Sequence, residues 1–258
     1  MRKLVVVALA GILTLAVTAI AFAASETSGT TVQNYDQVYS QKKPAKSTGT
    51  TFSTSSTDEQ NTAKNKQPKR VTNFDITFPK GSKVDSKAAP QCKATENEFN
   101  SAEDPDDACP KGSKIGSGKV AARTDINGVA DLQGVVSAYN ANKGLLLYVQ
   151  VQAPGAAQTL LIKPKFRGLR LLTSVPHTCL PPGVPTNDCK DANGNSRDVI
   201  LTNFELKTKP VSSRKGKKRR QLITTPKTCP SGGWAFQADI KYADGSKVKI
   251  PAKSPCRK

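Results

Sequence analysis

One histidine, one methionine and one tryptophan stand among the 258 residues of this chain, and that scarcity narrows its chemistry. With His177 alone, and with no Cys-x-x-Cys pair, the usual ligand sets of a zinc site are missing. Val175-Pro176-His177-Thr178-Cys179 offers a general base but no nucleophile elbow beside it, so nothing in the sequence marks a Ser-His-Asp site, which geometry rather than sequence defines. Most acids lie in loop-like stretches, which leaves a two-carboxylate glycosidase without rigid supports. After residue 23 no apolar run is long enough to cross a bilayer, and no stretch keeps a 3.6-residue apolar period. A helical bundle and a helical membrane protein are therefore not expected. Nor is an enzyme: a hydrolase ranks last of three classes.

What is present starts with a leader. Met1-Arg2-Lys3 is a short positive region, Leu4 to Phe22 is apolar except for Thr14 and Thr18, and Ala21-Phe22-Ala23 places small residues at a leader-peptidase site. Residues 1–23 read as a signal peptide rather than a retained anchor, with no cysteine after them for a lipid. The expected location is extracellular or in the cell envelope, with no stable membrane insertion after cleavage. The six cysteines, Cys92, Cys109, Cys179, Cys189, Cys229 and Cys256, fit that compartment as disulfides. Six allow 15 pairings, and pairing neighbours in order is the simplest choice.

Residues 24–31 are expected to be a flexible N-terminal segment, and 32–258 a single β-sandwich domain. Val32 to Tyr39, and Thr50 to Thr57 around Phe52, are rich in β-forming residues and read as outer strands of it. Further strands are expected at Val71 to Phe78, Lys119 to Thr124, Leu132 to Tyr139, Leu145 to Gln152, Thr159 to Lys163, Phe166 to Ser174, Val199 to Lys207 and Gln221 to Thr224. Asn140 to Gly144 signals a hairpin, and Leu145-Leu146-Leu147 suggests a strand covered on both faces. Many short strands between turn signals predict an all-β antiparallel sandwich with long loops and three disulfides. The last hairpin can be registered. A two-residue turn would set Ile240 against Lys249. A three-residue loop, Ala243-Asp244-Gly245 with Gly245 left-handed, sets Ile240 against Val248 and Ala238 against Ile250, keeping one face apolar. It also brings Cys256 near Cys229.

Several motifs carry a resemblance. Phe78-Pro79-Lys80-Gly81, Pro90-Gln91-Cys92, Ala108-Cys109-Pro110-Lys111-Gly112, Pro226-Lys227-Thr228-Cys229-Pro230, Tyr242-Ala243-Asp244-Gly245-Ser246 and Pro255-Cys256 together resemble secreted, uncharacterised β-domain proteins of high-GC Gram-positive bacteria. The resemblance covers roughly Tyr39 to the end. It implies no activity, cofactor or catalytic residue.

Charge supplies the functional expectations. The net charge of +19 implies attraction to anionic material. Arg214, Lys215, Lys217, Lys218, Arg219 and Arg220 form a basic run without interleaved aromatics, suited to gripping phosphates by counterion release and not to stacking bases. An anionic wall polymer is the expected partner of a non-enzymatic envelope protein. The second class is a calcium-dependent carbohydrate-binding or adhesion module. Asp191, Asn193, Asn195 and Asp198 alternate like calcium-loop ligands, though the glycine and glutamate of such a loop are replaced by Ser196 and Thr202. Glu96, Glu98, Glu103, Asp104, Asp106 and Asp107 crowd the loop between Cys92 and Cys109 and could meet a cation or a basic segment. Gly116-Ser117-Gly118-Lys119-Val120-Ala121 imitates a nucleotide fingerprint but leads into a strand, so it reads as a turn. Trp234 reads as a core anchor rather than a sugar platform. No cofactor other than calcium suggests itself, and oligomeric state is open.

Overall fold

A computed structural model describes residues 24–59, 67–124, 131–153, 156–179, 189–190 and 198–257. The expected leader lies outside them. Along the chain run β1 (Ala24–Ser28), β2 (Thr31–Tyr39), β3 (Thr50–Asp58), β4 (Val71–Thr77), β5 (Lys83–Val84), a short helix α1 (Glu96–Ser101), β6 (Lys114–Arg123), β7 (Asp131–Ala141), β8 (Gly144–Ala153) and β9 (Ala156–Ile162). There follow β10 (Lys165–Arg167), β11 (Arg170–Leu172), β12 (Ile200–Thr208), β13 (Ser212–Lys215), β14 (Lys218–Gln221), β15 (Ile223–Thr224), β16 (Trp234–Tyr242) and β17 (Lys247–Ser254).

The fold is all-β and antiparallel, but its main sheet does not divide clearly into two facing layers. Pairing runs without a break in the order β1-β2-β3-β12-β6-β7-β8-β10-β11-β4-β16-β17, with β9 on β8. The last strand, β17, then lies against β1 and β2, so the sheet rolls into a near-barrel. Its ends meet through side chains: the Tyr39 amide donates to Ser254 Oγ at 2.9 Å, and Ser28 to Ser246 Oγ at 3.0 Å. Sandwich and barrel share one alternation of apolar and polar residues, and the unbroken ladder is what separates them. β2, between β1 and β3, and β3, between β2 and β12, are consequently both internal rather than outer strands. Where a flexible segment is expected over 24–31, β1 pairs with β2 from Ala24 to Ser28.

Inward alternation is strict where the wall is well packed. Tyr35 and Tyr39 of β2, and Trp234, Phe236, Ala238, Ile240 and Tyr242 of β16, are all buried. Tyr39 meets Trp234 and Phe236 edge-on, with ring centres 5.5 and 4.8 Å apart. Trp234 is 1% exposed and donates its indole N–H to the Thr228 carbonyl at 2.8 Å, as a core anchor should. The terminal hairpin has the expected register, Ile240 opposite Val248 and Ala238 opposite Ile250, with Gly245 at φ +85°. The cysteines pair in order, 92–109, 179–189 and 229–256.

Three local features depart from expectation or explain it. Phe166 to Ser174 is broken at Gly168, φ +59°, into the hairpin β10–β11. Helix α1 begins with a reciprocal cap between Thr95 and Glu98, a T-x-x-E signal present in the sequence. It lays Phe99 on Tyr148, ring centres 4.5 Å apart, which covers the outside of β8. Leu145 and Leu147 face the interior while Leu146 and Tyr148 pack under α1. That is the two-sided burial the leucine run suggests.

The fingerprint-like Gly116 and Gly118 sit within β6, not at a phosphate loop. A Cβ at Gly118 would come 1.7 Å from the Glu205 carbonyl oxygen of β12, and one at Gly116 would come 2.4 Å from that of Lys207. Glycine here lets two backbones approach. Gly118→Ala should destabilise the protein by about 1–3 kcal/mol in urea titration, the range for forced overpacking. Gly216→Ala, at an open turn with nothing within 4 Å, should cost about 1 kcal/mol from its positive φ alone. Equal losses would show that β6 and β12 separate freely.

Candidate functional site

The barrel interior is not filled. A cavity of about 110 Å³ lies between β3, β4, β8 and β12, walled by Phe52, Phe74, Ile76, Leu147, Phe204 and Leu206 among others. A second, of about 60 Å³, lies toward the end where β4, β9 and β12 begin and where β6 and β8 finish. The two share Val71, Ile162, Val175, Leu201 and Phe204 as walls, so one lobe continues the other. At roughly 24 cal/mol per Å³ an unfilled volume of the larger lobe's size costs a core about 2–3 kcal/mol. Whole domains are stable by only roughly 5–15 kcal/mol.

One wall of the larger lobe is polar and largely self-satisfied. Gln33 donates to Thr54 Oγ1 at 2.6 Å and accepts from Ser56, and Tyr35 donates to Gln37 Oε1 at 2.7 Å. The Thr50 amide donates to Thr208 Oγ1 at 2.8 Å. Gln33, Gln37, Thr50 and Thr208 are all buried and line the cavity. Interior chemistry is thus apolar with a neutral hydrogen-bonding shelf.

At the edge of the smaller lobe, Pro176 and Thr178 lead into the Cys179–Cys189 disulfide. Here the chain gathers His177, Cys179, Cys189 and Asp198, whose donor atoms lie within 4.8 Å of one another. No spacing signal marks this group in the sequence. Its sulfurs are joined to each other, which withdraws two thiolate ligands and leaves one imidazole and one carboxylate. His177 Nε2 is paired with Asp198 and lies 3.4 Å from Cys189 Sγ. Of the calcium-loop candidates, Asp198 is thereby engaged, and Asp191, Asn193 and Asn195 lie outside the described residues.

The acids between Cys92 and Cys109 are partly consumed by local structure. Glu98 caps α1, Asp104 caps the turn that follows, and Asp106 takes Lys114 Nζ at 2.7 Å and the Tyr139 hydroxyl. The basic run forms a separate hairpin, β13–β14, turning at Gly216-Lys217. Its register sets Lys215 opposite Lys218 and Arg214 opposite Arg219, and the two arginines put like charges face to face. Arg214, Lys217, Lys218 and Arg219 are exposed, whereas Arg220 is half-buried and paired with Asp85 at 3.3 Å.

No helix among the described residues is long and apolar enough to cross a membrane, and three disulfides are consistent with an extracellular protein. No protein family, curated protein or solved structure matches this chain.

Buried phenols make the barrel sensitive to alkali. Burial, and secondarily the Asp244 charge, pushes Tyr242 from 10.0 up to about 12. Burial likewise raises Tyr35, Tyr39 and Tyr139. An unfolded phenol loses its proton near pH 10 while the folded one keeps it, so this stabilisation is complete below pH 10. It is lost as pH rises through about 12. Stability in urea should therefore stay level up to about pH 10 and then fall. Tyrosine ionisation, read by ultraviolet difference absorbance, should rise together with unfolding. Ionisation of all five tyrosines in the folded protein near pH 10 would contradict this.

Proposed function

We propose that this protein is an exported, non-enzymatic carrier that holds an apolar molecule inside its barrel. The reading rests on the larger cavity, an unfilled apolar volume of about 110 Å³ at the centre of the sheet. Side chains able to fill it are ordinary in cores, and interiors are otherwise packed like organic crystals. A void retained at a stability cost fits a site that a ligand fills. The apolar walls suit hydrocarbon, which stays favourable in a dry cavity, and the polar shelf limits orientation.

The small fluorescent probe 1-aminonaphthalene, neutral at pH 7, should bind saturably near one equivalent and raise the melting temperature. At a concentration of 100 Kd the added stability should approach about 2.7 kcal/mol. Ile162→Phe, which adds bulk where both lobes meet, should weaken uptake roughly ten-fold without lowering the melting temperature, because the change fills space instead of opening it. A parent protein that takes up no probe, or a filled variant that takes it up equally, would remove the carrier reading.

A second reading concerns the outer surface, and a specific observation favours it. The β13–β14 register sets Arg214 across the hairpin from Arg219, a repulsion that a bound polyanion would relieve. An anionic, phosphodiester-linked wall polymer is the partner this chemistry suits. Replacing Lys217, Lys218 and Arg219 with Gln should weaken binding and flatten its dependence on salt. The log–log slope should drop by roughly 0.7–0.9 for each phosphate no longer neutralised. Arg220→Gln should instead lower stability slightly, since it removes the half-buried ion pair with Asp85. Unchanged polymer binding by the triple variant would end this second reading.

A further inference from the structure

We infer that the barrel's ligand is a single-chain amphiphile with an anionic head, its chain in the two lobes and its head at Arg70. The inference rests on the carrier reading and adds the identity of the polar end. Among the described residues, Arg70 is the one residue of formal charge that lines either lobe. It lines the smaller lobe, just before β4, where its own carbonyl accepts the Ala243 amide at 2.9 Å and fixes the backbone.

The guanidinium has no acid or carbonyl partner among the described residues, and the nearby acids are taken. Asp244 holds Lys69 Nζ at 2.7 Å and the Ser246 amide at 2.9 Å. Asp198 is paired with His177. A half-buried arginine beside an apolar lobe, with its neighbours' charges already matched, is short of an oxyanion. Guanidinium binds carboxylates and phosphates through two parallel hydrogen bonds, so either head fits. The apolar wall continues from Arg70 and Val71 past Ile162 and Phe204 into the larger lobe, which is where the chain would run.

Size limits the chain. A cavity of about 150 Å³ accepts benzene, and the two lobes, about 110 and 60 Å³, are together of that order. A short chain, about six to eight carbons, should fit better than one twice as long.

Displacement of 1-aminonaphthalene by octanoate, octyl phosphate and octanol, each below its micellar or solubility limit, tests the proposal. Both anions should displace the probe at least ten-fold more effectively than octanol. The better of the two anions would tell a fatty acid from a phosphorylated lipid as the source. Arg70→Gln should bring the anions down to the octanol level, while Arg70→Lys keeps part of the preference. Should Arg70→Gln fail to fold, the ranking of the three heads on the parent still decides the matter. If the parent binds all three equally, or the Gln variant keeps the preference, the assignment of the head to Arg70 is overturned and the carrier reading stands. If the probe itself is not taken up, both fall.

Discussion

Enclosed volume governs this structure. About eight strands close around a space that side chains just fill, and more strands enclose more than that. Here the path holds twelve strands, with β9 added on β8. Large rings take up part of the excess: Tyr39, Phe78, Trp234 and Phe236 pack together on the β2, β4 and β16 side. On β8, β9 and β12 the lining residues are mostly Leu, Ile and Val with Phe204 and Thr208, and the cavity lies between them and Phe52 and Phe74. The void is thus what a ring of this many strands leaves even where Phe52, Phe74, Phe78, Phe166 and Phe204 line it.

Closure has to be held, because β17 and β2 meet without a backbone ladder among the described residues. The Cys229–Cys256 disulfide joins the segment before β16 to the segment after β17, which pins the edge hairpin at its open end. Beside it the Arg257 amide donates to the Lys42 carbonyl at 2.9 Å, and Tyr39 reaches Ser254 across the seam. Loop-closure entropy gives a crosslink of this span about 3–4 kcal/mol, applied where the sheet is weakest. The Cys92–Cys109 bridge serves another end, holding α1 and its Phe99 over the outer face of β8.

Much of this was legible in sequence, for local reasons. The β16–β17 register followed from one requirement, that Ile240 and Ala238 face apolar partners, and it was met. Both-sided burial of β8 showed in Leu145-Leu146-Leu147, whereas in-order pairing of the cysteines was only the simplest of 15 choices until the structure paired them so. What was not legible depends on long-range placement. Alternation in β2 and β3 reads alike at a sandwich edge and inside a barrel, so both were expected outside. Helix α1 is too short for a 3.6-residue period to register, although Thr95 and Glu98 announced its start. A cavity is an absence of atoms, and residues such as Phe74, Leu147 and Phe204 have the same identities around a void as in a packed core. The basic hairpin was plain as a charge run, but the meeting of Arg214 with Arg219 needed the register.

The interior and the exterior share an electrostatic logic. A chain of net charge +19 concentrates anions near its surface, and the β13–β14 hairpin presents four exposed cations at a turn. Among the described residues, those lining the lobes are neutral except Arg70. The proposed anionic amphiphile would be drawn by the first property and sorted by the second, because its chain can desolvate fully only if its head stays at the one charged position. The proposed polymer contact outside and the proposed ligand site inside would not compete for residues. The hairpin's cations lie on β13, β14 and the turn between them and line neither lobe, so a substitution at one proposed site should leave the other intact.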